Sequence, residues 1–120
     1  MQLIAGVLVV VVAALHLYFL VLEMFLWTTP FGRRTFGMTP DFARSTRTLA
    51  ANQGLYNGFL AGGLLWALVA YGVHTGRPIL TFFLACVVIA GIFGGVTVSR
   101  RILLVQALPA IAAAAALWLA

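Results

Sequence analysis

The sequence predicts an all-α membrane protein, a four-transmembrane-helix bundle with both termini outside, on three observations. Of its 120 residues, 64% are hydrophobic and only 8% charged, whereas about a quarter of the residues in soluble domains are charged. Four apolar runs approach the ~20 residues that a helix needs to cross a hydrocarbon layer about 30 Å thick. Six of the seven arginines fall in two of the three connections between those runs.

The first run spans Leu3 to Trp27. It lacks the positive segment that precedes the apolar core of a signal peptide and is too long for one, so a permanent helix is expected. Thr28 to Arg47 interrupts the pattern with Pro30, Gly32, Gly37 and Pro40, residues that punctuate helices. The second run covers about Leu49 to Val73, and His74-Thr75-Gly76-Arg77-Pro78 forms a short turn whose proline starts the next helix. The third covers about Ile79 to Val98, and Ser99-Arg100-Arg101 leaves a tight connection to the fourth, Ile102 to Leu119. All four belong to a single domain, residues 1–120. Gly54, Gly58 and Gly62 on the second run, Gly91 and Gly95 on the third, and Ala112 to Ala116 on the fourth have the small-xxx-small spacing that lets helix backbones approach. Such seams serve equally within a chain or between subunits. A four-helix chain this short has little interior of its own, so a homo-oligomer is expected.

Arginines near span ends stay on the cytoplasmic side. Arg33, Arg34, Arg44 and Arg47 in the first connection and Arg100 and Arg101 in the third therefore face inward, with Arg77 alone on the second connection. Both termini then lie outside. The net charge of +5 sits on these loops, and with no basic face interleaved with exposed aromatics no nucleic-acid partner is implied. Cys86 is the single cysteine and lies in an apolar run with no base near it in sequence, which argues against a catalytic thiolate. There is no Ser-His-acid set, no phosphate-cradling glycine loop and no metal spacing, His16 and His74 lying at different depths.

The informative residues are the polar ones inside the apolar runs. His16 and Glu23 are seven apart and share a helix face, Glu23 about 10 Å nearer the cytoplasm. Asn52, Gln53, Tyr56 and Asn57 occupy the first turns of the second span on one broad face, and Gln106 sits four residues into the fourth. Three helices thus carry acid and amide groups at a similar height. A carboxylate within hydrocarbon costs on the order of 3 kcal/mol, so Glu23 is expected to face the bundle, water or a cation, with Arg47, Arg100 or Arg101 as partner. Glu23 and His16 are the candidate catalytic groups. Arg33, Arg34, Arg47, Asn52, Gln53, Tyr56, Asn57, Arg101 and Gln106 are the candidate ligand-binding groups, around a pocket anionic-binding at its mouth and apolar deeper in. The structural alternative is that the acid is ion-paired and the amides are interhelical glue.

Two resemblances follow. The strings His16-Leu-Tyr-Phe-Leu-Val-Leu-Glu23-Met-Phe-Leu-Trp27, Pro30-Phe-Gly-Arg33-Arg34-Thr-Phe36 and Leu49-Ala-Ala-Asn52-Gln53-Gly54-Leu-Tyr56-Asn57-Gly58 resemble a family of short bacterial inner-membrane proteins of unknown function. That likeness covers nearly the whole chain and implies an architecture without an activity. More distantly, the layout is similar to the MAPEG family of eicosanoid and glutathione metabolism, four-helix trimers with both termini away from the cytoplasm. The matching residues are Tyr18-Phe19, Arg33-Arg34-x-Phe36, Asn52-xxx-Tyr56, Arg101, Pro109 and Ala116-Leu117-Trp118-Leu119. In that family the equivalent arginine, asparagine and tyrosine help to hold glutathione between subunits. Here Leu55 replaces a glutamate, Thr48 an arginine, and Gln106 the arginine that activates the thiol. An amide cannot lower a thiol's pKa as a fixed cation does. The resemblance therefore implies a retained scaffold with altered chemistry, glutathione being the ligand to which these departures run counter.

The functional expectation is a MAPEG-like scaffold that binds an amphipathic or anionic small molecule in its cytoplasmic half, as a binding protein or a glutathione- or lipid-related membrane enzyme, with Glu23 as a proton acceptor. A small transporter using His16 and Glu23 as a proton path is the second class, against which stands the wholly apolar stretch from Leu3 to Leu15. A structural helper of a membrane complex is the third.

Overall fold

The computed structural model describes all 120 residues and contains helices only. They are α1 (Gln2–Met24), α2 (Pro30–Phe36), α3 (Pro40–Thr75), α4 (Arg77–Thr97) and, after a π-helical turn at Leu103–Ala107, α5 (Leu108–Leu119). Three of them, α1, α3 and α4, are long and apolar enough to cross a membrane. The fourth apolar stretch, Leu103–Leu119, is shorter than these three.

Two boundaries differ from the apolar runs. The first helix ends at Met24, and Phe25 to Thr29 turn. The helix α3 starts at Pro40, well before Leu49, so Arg44 and Arg47 stand on a helix rather than in a loop. The cause is local: Pro40 suits a first helical position, and the Thr39 hydroxyl accepts from Phe42 N–H at 3.2 Å. Near its far end Gly72 leaves the helical region (φ 77°, ψ −177°), a conformation open to glycine.

The chain divides into two compact units, Met1–Leu15 with Leu60–Ala120, and His16–Phe59. The first has an apolar core in which Val9, Val12, Leu64, Leu80, Leu84, Val87 and Leu117 are fully buried. A Cβ on Gly91 would lie 2.6 Å from the Ala107 nitrogen, and one on Gly95 2.3 Å from Leu103 Cγ, so this glycine seam joins helices of one chain. The alanine seam is shifted from expectation: Ala110, Ala113 and Ala116 are buried and Ala112 is exposed. Gly62 joins no helices within the chain, since a Cβ there would meet nothing within 4 Å. The π turn has a covalent cause. Pro109 offers no N–H, and Leu108 N–H reaches back five residues to the Leu103 carbonyl. At the end of this unit carrying the α3–α4 turn, Arg77 donates to the Ala120 carbonyl at 2.8 Å and lies 5.3 Å from the Trp118 ring centre. Trp118 Nε1 donates to Thr81 Oγ1 at 3.1 Å, and Gln2 bonds His74.

In the second unit the α3 seam is Gly54 and Gly58. Cβ atoms there would come within 2.7 Å of Met24 Cγ and of Leu20 Cδ1 respectively. This close approach of backbones is what the four-residue glycine spacing permits.

Candidate functional site

The segment between α1 and α3 is built rather than loose. Thr29 caps α2, its hydroxyl accepting from Gly32 N–H at 3.2 Å and donating to the Leu26 carbonyl at 2.6 Å, with Pro30 at the first helical position. Gly37, left-handed at φ 63°, ends α2; its N–H reaches the Arg34 carbonyl, and Met38 N–H reaches that of Arg33, a Schellman closure. Trp27 packs against Phe36 with ring centres 4.8 Å apart and planes tilted by 43°, and donates through Nε1 to Thr46 Oγ1 at 2.9 Å, tying the turn after α1 to α2 and α3. Trp27→Phe keeps the ring contact and removes that bond, and is expected to cost about 0.5–1.5 kcal/mol in a reversible unfolding measurement.

This frame holds two features. The first is a buried pair: Glu23 and Asn57 are 5% and 9% exposed, and Asn57 Nδ2 donates to Glu23 Oε1. The expected arginine partner of Glu23 is thus replaced by a neutral amide. The physical reason is reach: Asn57 follows Ala50 and Gly54 along the buried stripe of α3, facing α1, whereas Arg47 is exposed. The second is an open cleft of about 470 Å³ lined by Thr28, Arg33, Pro40, Arg44 and Arg47. Arg44 is ion-paired with Asp41. Arg33 is half-buried, and its Nε is buried without a hydrogen-bond partner. A neighbouring depression is lined by Pro30, Arg33, Arg34, Gly37 and Met38, and Arg34 Nε spends itself on the Pro30 carbonyl at 3.4 Å.

The predicted polar residues are therefore sorted. Glu23 with Asn57, and Arg33 with Arg47, are brought together. Of the four residues expected on one broad face, Asn57 is buried while Asn52, Gln53 and Tyr56 are exposed, and Tyr56 packs edge-on against Phe59 with ring centres 5.6 Å apart. His16 is fully buried, its ring 5.2 Å from that of Phe19. Arg101 and Gln106 belong to the other unit, Arg101 exposed and Gln106 half-buried in the π turn. Arg44, Thr28 and Pro40 are lining residues that the apolar-run reading left out. The signal for Arg44 was the Thr39-Pro40 helix start, which places Arg44 and Arg47 three apart on one face.

No group of three or more His, Cys, Asp or Glu side chains is placed to hold a metal ion.

The sequence matches the family model of DUF1304, a protein of unknown function, over residues 10–118. It is similar to the uncharacterized protein YpaA of Lactococcus lactis subsp. lactis, 29% identical over 108 residues, which cover 88% of this chain and 89% of that one. No solved structure matches. With nearly its whole length under one family model, this chain belongs to the DUF1304 family of proteins of unknown function.

Proposed function

We propose that the protein is a four-span protein of the bacterial inner membrane, termini periplasmic or extracellular, that binds an amphipathic anionic small molecule at the cytoplasmic face. The observation that carries this reading is the cleft with three arginines on its wall, set in the same unit as the buried Glu23–Asn57 pair. Guanidinium groups bind carboxylate and phosphate bidentately, so three around one cavity favour an anion. Exposed Phe31, Phe36 and Phe42 in the same segment suit a membrane–water boundary, where an apolar tail would rest. Leu103–Leu119, though short, reaches the lower length limit for a span.

A homo-oligomer, a trimer on the MAPEG likeness, belongs to the same proposal. The side-chain amides of Asn52 and Gln53 are exposed on α3, and amides at membrane depth favour a partner helix. In that assembly Asn52 and Tyr56 would orient the ligand beside a neighbouring copy, and Glu23 would accept a proton.

The test is purification in mild detergent followed by native mass spectrometry. A co-purifying small anion is expected with the unaltered protein. Arg33→Gln and Arg47→Gln should each weaken its retention by about 10- to 100-fold, the equivalent of one charge-assisted hydrogen bond. An unliganded protein whose cellular phenotype is indifferent to both substitutions would overturn the reading.

A further inference from the structure

We propose that the arginine cleft recognises a phosphomonoester, a doubly charged terminal phosphate, in preference to a carboxylate or a phosphodiester. This rests on the anion-site reading above and narrows it. Three guanidinium groups, those of Arg33, Arg44 and Arg47, line the cleft, and one carboxylate, Asp41, is paired with Arg44. Three positive charges against one negative leave +2. A phosphomonoester carries about −1.5 to −2 at neutral pH on three terminal oxygens and neutralises that excess, whereas a carboxylate or phosphodiester, with a single charge, leaves about half of it.

Hydrogen-bond supply agrees with the charge. Arg33 Nε is buried and unpartnered, so a ligand whose arrival turns this guanidinium toward it supplies the acceptor that the donor lacks. A guanidinium presents Nε and one Nη as a parallel pair of donors, the geometry that two oxygens of one phosphate accept. Arg47 is exposed and carries no ion pair, so its charge is free for a second oxygen. Arg44 and Asp41 are both largely exposed, and a surface pair of that kind is weak. An arriving phosphate therefore competes with Asp41 for Arg44 on favourable terms.

The phosphomonoester can be free or can head a lipid, and the experiment separates them. The detergent-purified protein is titrated by native mass spectrometry with phosphatidic acid, with phosphatidylglycerol of the same acyl chains, and with soluble glycerol 3-phosphate. Phosphatidic acid is expected to bind at least about tenfold more tightly than phosphatidylglycerol, a difference near 1.4 kcal/mol. Arg33→Gln and Arg47→Gln should abolish that preference, and Arg100→Gln, which removes an arginine outside the cleft, should leave it intact. Asp41→Asn should tighten binding several-fold, a gain that damaged folding cannot imitate. Glycerol 3-phosphate binding as tightly as the lipid assigns the free ester, and weaker binding assigns the lipid; either supports the phosphomonoester. Equal binding of the two lipids, still lost in Arg33→Gln and Arg47→Gln, overturns the phosphomonoester and leaves the anion site standing. Binding indifferent to Arg33 and Arg47, or equally sensitive to Arg100, overturns both.

Discussion

Gly32→Ala is expected to destabilise the protein by at least about 3 kcal/mol, the upper end for overpacking, and to release α2 from its seat. A Cβ at this position would lie 1.9 Å from the Leu26 carbonyl oxygen and 2.8 Å from its carbon. Those are backbone atoms, so no side-chain rotation relieves the clash. The same carbonyl accepts the Thr29 hydroxyl, and moving it also breaks the cap of α2. Because Arg33 and Thr28 line the cleft, ligand retention should fall with stability. Thermal unfolding in detergent, measured beside Gly6→Ala, where a Cβ meets nothing within 4 Å, checks the claim. Equal melting of the two variants would refute the packing described for Gly32.

The second large effect belongs to the Glu23–Asn57 pair and has the form of a cycle. Glu23→Leu strands a buried amide and Asn57→Leu strands a buried carboxyl, and each is expected to cost about 1–3 kcal/mol, the carboxyl more. The double variant replaces both with apolar groups and should recover much of the loss, giving a coupling energy of at least about 1 kcal/mol. Glu23→Gln retains an acceptor for Asn57 and should keep the fold. It therefore separates structural need from proton chemistry: if Glu23 accepts a proton, Glu23→Gln is stable and inactive. Additive single losses in a denaturant series would show that the two side chains do not depend on one another.

Much of the helical architecture was legible because it follows from composition. Runs such as Leu3 to Trp27 and Ile79 to Val98 contain no charge except Glu23, and their helices follow them to within a few residues. Glycine spacing also transferred, since Gly54, Gly58, Gly91 and Gly95 all lie where a Cβ would collide. Polar placement transferred less well. Asn52, Gln53 and Asn57 are of one chemical type, and a broad helical face admits all three. Which of them points inward is set by the small-residue stripe Ala43, Ala50, Gly54, Asn57, whose spacing of seven, four and three singles out Asn57. Pairing Glu23 with an arginine followed charge alone, whereas reach decided for the amide. The cleft is half visible in the sequence: Arg33 and Arg47 are among the expected anion ligands, but reading Thr28 to Arg47 as a connection hides the helix that sets Arg44 beside Arg47.

The π turn at Leu103–Ala107 has a consequence for how this chain tolerates changes of length. An insertion or deletion inside a regular α-helix turns everything beyond it by about 100°, the angle of one residue. A wide turn absorbs a single extra residue locally and leaves the faces before and after it in phase. The last helix thus contains one position of slack, just upstream of Pro109. Losing one residue there would leave Ala110, Ala113 and Leu117 facing inward at the cost of setting Pro109 within a regular helical turn, while the same loss in α4 ahead of Leu84 would swing Leu84 and Val87 out of the core.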